Sequence, residues 1–206
     1  MPIPPTSISE EKNLDQALDG TFPASDPVSA TTHLTATPTE SILAAAERSS
    51  QHPGTVTIYR VVGADQMEKP FAAGRLEAAR WTSENTASVY ASLSAGDALL
   101  EFLAHCEGEP PRNAYLARAQ IPRERITVMH AYPSTWCEQP YRREVQQVGD
   151  DWARSHRSLA AQVPSALCAD ACNIILNPGH VDAPLIQGIE VRPIRIDDRL
   201  RRIASH

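Results

Sequence analysis

Thr55-Val56-Thr57-Ile58-Tyr59-Arg60-Val61-Val62 is the stretch from which the fold is read. It is β-branched and alternating, and His52-Pro53-Gly54 bounds it upstream, so it predicts a strand. Working outward, Ser88–Ser92 reads as a short strand, and Ser94–His105 as a helix. In that helix Ser94 and Asp97 have capping-box spacing, and Ala98, Leu99, Phe102 and Leu103 share one face. Ala114–Ile121, Ile126–Tyr132, Leu159–Val163 and Gly188–Ile196 predict further strands, and Arg142–His156 a polar helix. Strands outnumber helices and do not alternate with them regularly. The expected class is therefore α+β, not a doubly wound sheet.

Charge divides the chain. The 206 residues carry 25 acids and 19 bases, a formal net charge of −6. Residues 1–50 hold seven acids (Glu10, Glu11, Asp15, Asp19, Asp26, Glu40, Glu47) against Lys12 and Arg48, a net of −5, and six of the 17 prolines. The sequence thus predicts an acidic, Pro/Ser/Thr-rich and mostly disordered extension over 1–45, with one short helix, Glu10–Leu18, capped by Ser9. A folded domain is expected over 46–206, with a short helix at Ser41–Arg48 across the boundary. The negative balance argues against direct nucleic-acid binding, which needs clustered positive charge. Four cysteines at irregular spacing suit neither a disulfide framework nor a zinc knuckle. With no secretion leader at the start and no apolar run of about 20 residues, the expectation is a soluble cytoplasmic protein without membrane contact.

Few residues stand out as chemistry. Glu101 interrupts the apolar run Ala98-Leu99-Leu100-Glu101-Phe102-Leu103. With Asp97 and His105 at i±4 it forms either a solvated stripe on a buried helix, or a cleft carboxylate able to act as base or stabilise a cation. A third option makes Glu101 and His105 metal ligands one turn apart, with His180 as a third; no convincing ligand set follows. Arg60 lies in an apolar strand and Arg80 precedes Trp81 in a loop; a guanidinium turned inward needs an anion, and its fork suits phosphate or carboxylate. Ser165 lacks the Gly-x-Ser-x-Gly setting of a hydrolase nucleophile. Asn177-Pro178 is the signal of a turn, and Trp136 and Trp152 are core or interface residues.

Taken in order, Tyr59-Arg60, Arg80-Trp81, Tyr90, Glu101, Arg157-Ser158-Leu159, Val163-Pro164-Ser165, Asn173-x-x-Leu176-Asn177-Pro178-x-His180 and Glu190-Val191-Arg192-Pro193 resemble the RES domain. This family, named for an arginine, a glutamate and a serine, supplies the toxin half of many bacterial RES–Xre toxin–antitoxin pairs. The resemblance runs from about Thr55 to Leu200. It implies a compact α+β fold similar to ADP-ribosyltransferases, with NAD as substrate, no prosthetic group and no metal. It also implies an Xre-type helix-turn-helix antitoxin that covers the active site; a homo-oligomer is left open.

By that resemblance Glu101, Arg80 and Tyr90 are the expected catalytic residues. Tyr59, Arg60, Arg80, Tyr90, Ser165 and Asn177 are the expected NAD-binding set. The implied reaction breaks the nicotinamide–ribose bond by glycohydrolysis, phosphorolysis or ADP-ribosyl transfer to a target. A non-catalytic protein-binding module on the same fold is the alternative. The chain departs from the family where the usual Gly-Gly-Arg-Trp-Asn reads Ala78-Ala79-Arg80-Trp81-Thr82, and where Asn85 replaces a loop glycine. Two alanines are expected to restrict how closely this loop approaches phosphates.

Overall fold

The computed structural model describes residues 54–74 and 76–203. The two expected N-terminal helices, the 1–45 extension and the boundary at 45/46 lie outside the described residues. Seven strands form one mixed sheet: β1 Thr55–Gly63, β2 Val89–Ser92, β3 Ala114–Pro122, β4 Ile126–Val128, β5 Ala160–Pro164, β6 Cys172–Leu176 and β7 Gln187–Ile194. The helices are α1 Ala95–Ala104, α2 Arg143–Ser155 and α3 Asp198–Ile203. The strand order is β4-β5-β6-β2-β1-β3-β7, antiparallel throughout except for the parallel pair β4–β5. This is the α+β class expected.

Side-chain alternation sorts the core onto two faces. On one, Val56, Ile58, Val89, Ala91, Ala119, Ile121, Ile174 and Leu176 pack together with Phe71 from the loop after β1. The opposite face is shared by the two longer helices. α2 lies toward β5 and β6 and buries Val145, Trp152, Val163 and Ile175 with Trp81. α1 lies toward β1 and β3, where Ala98 packs with Val61 and Leu116, and Leu99, Phe102 and Leu103 close over them. The face expected for this helix is the one that packs.

Ser94 caps α1: its Oγ accepts from the Asp97 N–H at 3.0 Å and donates to Asp97 Oδ2 at 2.7 Å. α2 ends at His156, whose φ of 48° is the only positive value outside glycine among the described residues.

Three expectations need correction. β4 stops at Val128 instead of Tyr132, because the chain turns off the sheet to set Tyr132 edge-on against Trp81, 5.3 Å between ring centres. β6 was not expected at all. Its five residues are all buried, and a short apolar run beside Asn177-Pro178 gives no alternation by which to recognise a central strand. α3 was likewise not foreseen.

One irregularity shapes the molecule. β1 and β2 neighbour each other at the sheet centre, yet their register runs through a single pair, Tyr59↔Ser92. β1 pairs with β3 along all nine residues, and β2 with β6 along all four. The sheet therefore parts between β1 and β2 beyond that pair, and a wedge opens beside α1.

Candidate active site

A cleft of about 580 Å³ occupies this wedge. Tyr59, Arg60, Arg80, Tyr90 and Glu101, five of the residues singled out in the sequence, line it together, as do Ser92, His105, Tyr141 and Asn173. Alternation puts Tyr59, Tyr90, Ser92 and Asn173 on the face that carries the helices. Arg60 belongs to the other face and reaches the cleft only because the two strands part there.

Glu101 is held on one oxygen. Its Oε1 accepts from Ser165 Oγ at 2.9 Å and from Asn173 Nδ2 at 2.6 Å, whereas Oε2 faces His105 Nε2 at 3.9 Å. The carboxylate, 24% exposed at its side chain, is thus a fixed group at the cleft wall, and the solvated-stripe reading is set aside. His105, one turn on, is 65% exposed and stands on the open side. Ser165 also accepts from the Leu167 N–H at 3.2 Å. Its hydroxyl proton is committed to Glu101.

Among the described residues, the hydrogen bonds of the two cleft arginines go to backbone carbonyls. Arg60 Nη1 donates to Pro70 O at 3.0 Å, and burial pushes its pKa down without removing the charge. Arg80 Nη1 donates to Trp136 O at 2.9 Å and Glu138 O at 3.0 Å, and its guanidinium lies over Tyr141, 5.0 Å from the ring centre. No carboxylate among the described residues lies within ion-pair distance of either. Arg118, Arg125, Arg142, Arg154, Arg199 and Arg201 each have one. A half-buried guanidinium without a counter-charge is a site for an anion.

Tyr90 is anchored at its tip: its hydroxyl oxygen accepts from Trp81 N at 3.2 Å and shares a hydrogen bond with Thr82 Oγ1 at 3.2 Å. Burial pushes the phenol well above its ordinary pKa, outweighing these hydrogen bonds. The ring stands as a fixed neutral wall.

The loop that carries Arg80 is gripped by one face of α2. Gln146 Nε2 donates to Ala79 O at 2.8 Å, and Asp150 Oδ1 accepts from Ser83 N at 2.9 Å. Between them lies Gly149, where an added Cβ would fall 1.8 Å from Trp81 O. Burial works against the Asp150 charge, but hydrogen bonds from Ser83 and Thr86 win and hold its pKa below the usual value. Neither Ala78, Ala79 nor Asn85 has a positive φ. Ala78 and Ala79 thus sit in backbone conformations that do not require glycine.

Asn177 does not join the cleft. Its Nδ2 donates to Ala153 O at 2.8 Å and its Oδ1 accepts from Gly179 N at 3.1 Å, so it ties the β6 exit to α2. His180 is committed too: Nδ1 accepts from Asp182 N at 3.0 Å, which leaves Nε2 to donate to His156 O at 3.0 Å. It is not available to Glu101 and His105 as a third metal ligand. No group of three or more His, Cys, Asp or Glu among the described residues could hold a metal ion. Nor is any described helix long and apolar enough to cross a membrane.

The sequence missed Asn173 as a site residue. It stood in the motif Asn173-x-x-Leu176-Asn177-Pro178-x-His180 without a role, and the register that puts it opposite Ser92 brings it to the cleft.

A mixed sheet parted at its centre, with a helix-borne carboxylate and two arginines lining one cleft, defines a small α+β domain. The RES domain family model matches residues 57–197, and the chain belongs to that family. It is similar to the Prs ADP-ribosylating toxin of Sphingobium sp. (strain YBL2), at 32% identity over 139 residues, covering 65% of this chain and 86% of that protein. It is also similar to a Toxin Res of Photorhabdus laumondii, at 27% identity over 149 residues, covering 69% of this chain and 96% of that protein. Among solved structures, a chain in the crystal structure of the M. tuberculosis MbcT-MbcA toxin-antitoxin complex shares the fold, with a TM-score of 0.50 and 13% identity over 82% of this chain and 98% of that one.

Proposed function

We propose that this protein is a toxin-like enzyme that consumes NAD by breaking its nicotinamide–ribose bond. The observation that carries the reading is the presence, in one cleft, of the fixed Glu101 carboxylate with Arg60 and Arg80, which have no carboxylate partner among the described residues. Relatives named as toxins, one of them ADP-ribosylating, support it.

Each group then has work to do. Loss of nicotinamide builds positive charge on the ribose, as in glycosidic cleavage through oxocarbenium-like transition states. A carboxylate fixed beside that carbon stabilises the charge without reorganising as it forms. Nicotinamide departs neutral, so the reaction needs no acid at the leaving group. Arg60 and Arg80 keep several N–H donors beyond those given to carbonyls, and these suit the pyrophosphate. The tethered Tyr90 ring offers a face to the nicotinamide, and Tyr59 a second. Water, phosphate or a hydroxyl of a target protein completes the exchange. Its control falls to a partner protein of the Xre-type antitoxin class, in keeping with the toxin–antitoxin setting of the solved structure that shares the fold.

The purified chain is incubated with NAD and nicotinamide release is followed. The wild type is expected to release it, and Glu101→Gln to lose about 100-fold or more in kcat. No release by the wild type, or equal release by the variant, overturns the reading. Identifying the sugar product with and without inorganic phosphate separates hydrolysis from phosphorolysis, and adenylate-labelled NAD reports transfer to protein.

A further inference from the structure

The carboxylate of Glu101 is the end of a hydrogen-bond chain that runs along the cleft wall. Ser92 on β2 and Asn173 on β6 are directly opposed in register, and both are buried, 2% and 9% exposed. Ser92 Oγ donates to Asn173 Oδ1 at 3.0 Å, and Asn173 Nδ2 donates to Glu101 Oε1 at 2.6 Å. Ser165 adds a second donor to the same oxygen at 2.9 Å, itself accepting from Leu167 N. The directions are forced. An ionised carboxylate only accepts, so Asn173 must present its NH2 group and Ser165 its O–H. Asn173 Oδ1 then needs a donor on its far side, and the Ser92 hydroxyl is that donor.

We propose that Ser92 and Asn173 are positioning residues that act through Glu101. Ser92 fixes which way the Asn173 amide faces, and Asn173 with Ser165 saturates Oε1. Oε2, beside His105, is left as the oxygen that meets the ribose. The chain therefore sets the aim of the carboxylate. The catalytic half of this inference rests on the NAD-cleaving reading; the half concerning the carboxylate does not.

Two readouts separate them. The Glu101 carboxyl is followed at constant neutral pH by ¹³C NMR, its signal assigned by its loss in Glu101→Gln. Asn173→Ala and Ser92→Ala are expected to move that signal, because the donors to Oε1 change, and Ser92→Thr, which keeps the hydroxyl, to restore it. The charged and titratable groups that line the cleft with Glu101 are His105 and Glu107 from the α1 end, Arg60 from β1, Glu77 and Arg80 from the loop, and Tyr59, Tyr90 and Tyr141. All are retained in these variants, so a moved signal belongs to the lost donor.

Nicotinamide release is the second readout. In Asn173→Ala and Ser92→Ala, kcat is expected to fall about 10- to 100-fold with KM changed by less than about threefold. Asn173→Asp, nearly isosteric, keeps the packing and guards against a variant that fails to fold. Its new carboxyl donates only when protonated, so its deficit should be largest at neutral pH and shrink toward acid. An unmoved carboxyl signal in both Asn173→Ala and Ser92→Ala overturns the chain. A moved signal with wild-type kcat overturns its role in turnover. If the wild type cleaves no NAD, that reading falls alone, and the carboxyl signal still decides the orientation of Glu101.

Discussion

Arg60 and Arg80 look alike in the sequence but stand differently in the molecule. Arg60 spends one nitrogen on Pro70 O, whereas Arg80 fastens the 136–138 segment through two carbonyls and stacks on Tyr141. Arg60→Gln keeps a donor for Pro70 and loses the charge. It should raise the KM for NAD about 10- to 100-fold, as loss of a charge-assisted hydrogen bond implies, with little change in thermal midpoint. Arg80→Gln should weaken both NAD use and stability, read by steady-state kinetics beside a thermal melt. Gly149 is the converse case, a residue whose role is the atom it lacks. In Gly149→Ala the new methyl meets Trp81 O, a backbone atom, so helix or loop must shift. The expected cost is about 3 kcal/mol, or roughly 6–12 °C in Tm, with activity reduced through displacement of Arg80. Nothing in the sequence marked this glycine, because the clash is with a loop 68 positions away and only the packed helix reveals it.

At the scale of elements, periodicity was readable and pairing was not. The capping box at Ser94, the packed stripe of α1 and the alternation of β1 all appear where the sequence puts them, since each rests on neighbours within a turn or a strand. β6 escaped notice because a buried central strand has no polar side to alternate with. Ser165 and Asn177 were singled out in the sequence, but the residues they bond in the fold lie 64 and 24 positions away. The grip of α2 on the Arg80 loop is of the same kind: Gln146, Gly149 and Asp150 follow i, i+3, i+4 spacing, but only the docked loop gives that face meaning. Asp150 makes it pH-dependent. Its folded-state pKa is depressed, so its contribution is complete above the unfolded value of about 3.9 and is lost as pH falls through the lower folded value. Asp150→Ala should thus cost about 1–3 kcal/mol near neutrality, and the gap from wild type, read from urea midpoints, should narrow below about pH 4.

For the whole molecule, the acidic pI says little about the site. Residues 1–45 carry six acids and one base, a net of −5 out of −6, so the remainder is nearly balanced. Deleting them should raise the pI and leave nicotinamide release within about twofold of the full chain, since surface charges beyond a Debye length of roughly 8–10 Å are screened. A large loss in that truncation would make the segment part of the enzyme. The parted sheet has a consequence of another sort. The middle of a sheet is ordinarily the slowest part of a protein to exchange its amide hydrogens with solvent. Here the pairing of β1 with β2 ends at Tyr59↔Ser92, so the amides of residues 60–63 that face β2 should take up deuterium early, in the midst of protected neighbours. A ligand seated between the strands would slow them. Those few backbone positions amount to a built-in, label-free gauge of whether the cleft is filled, readable in the presence of any candidate substrate or inhibitor and without waiting for turnover.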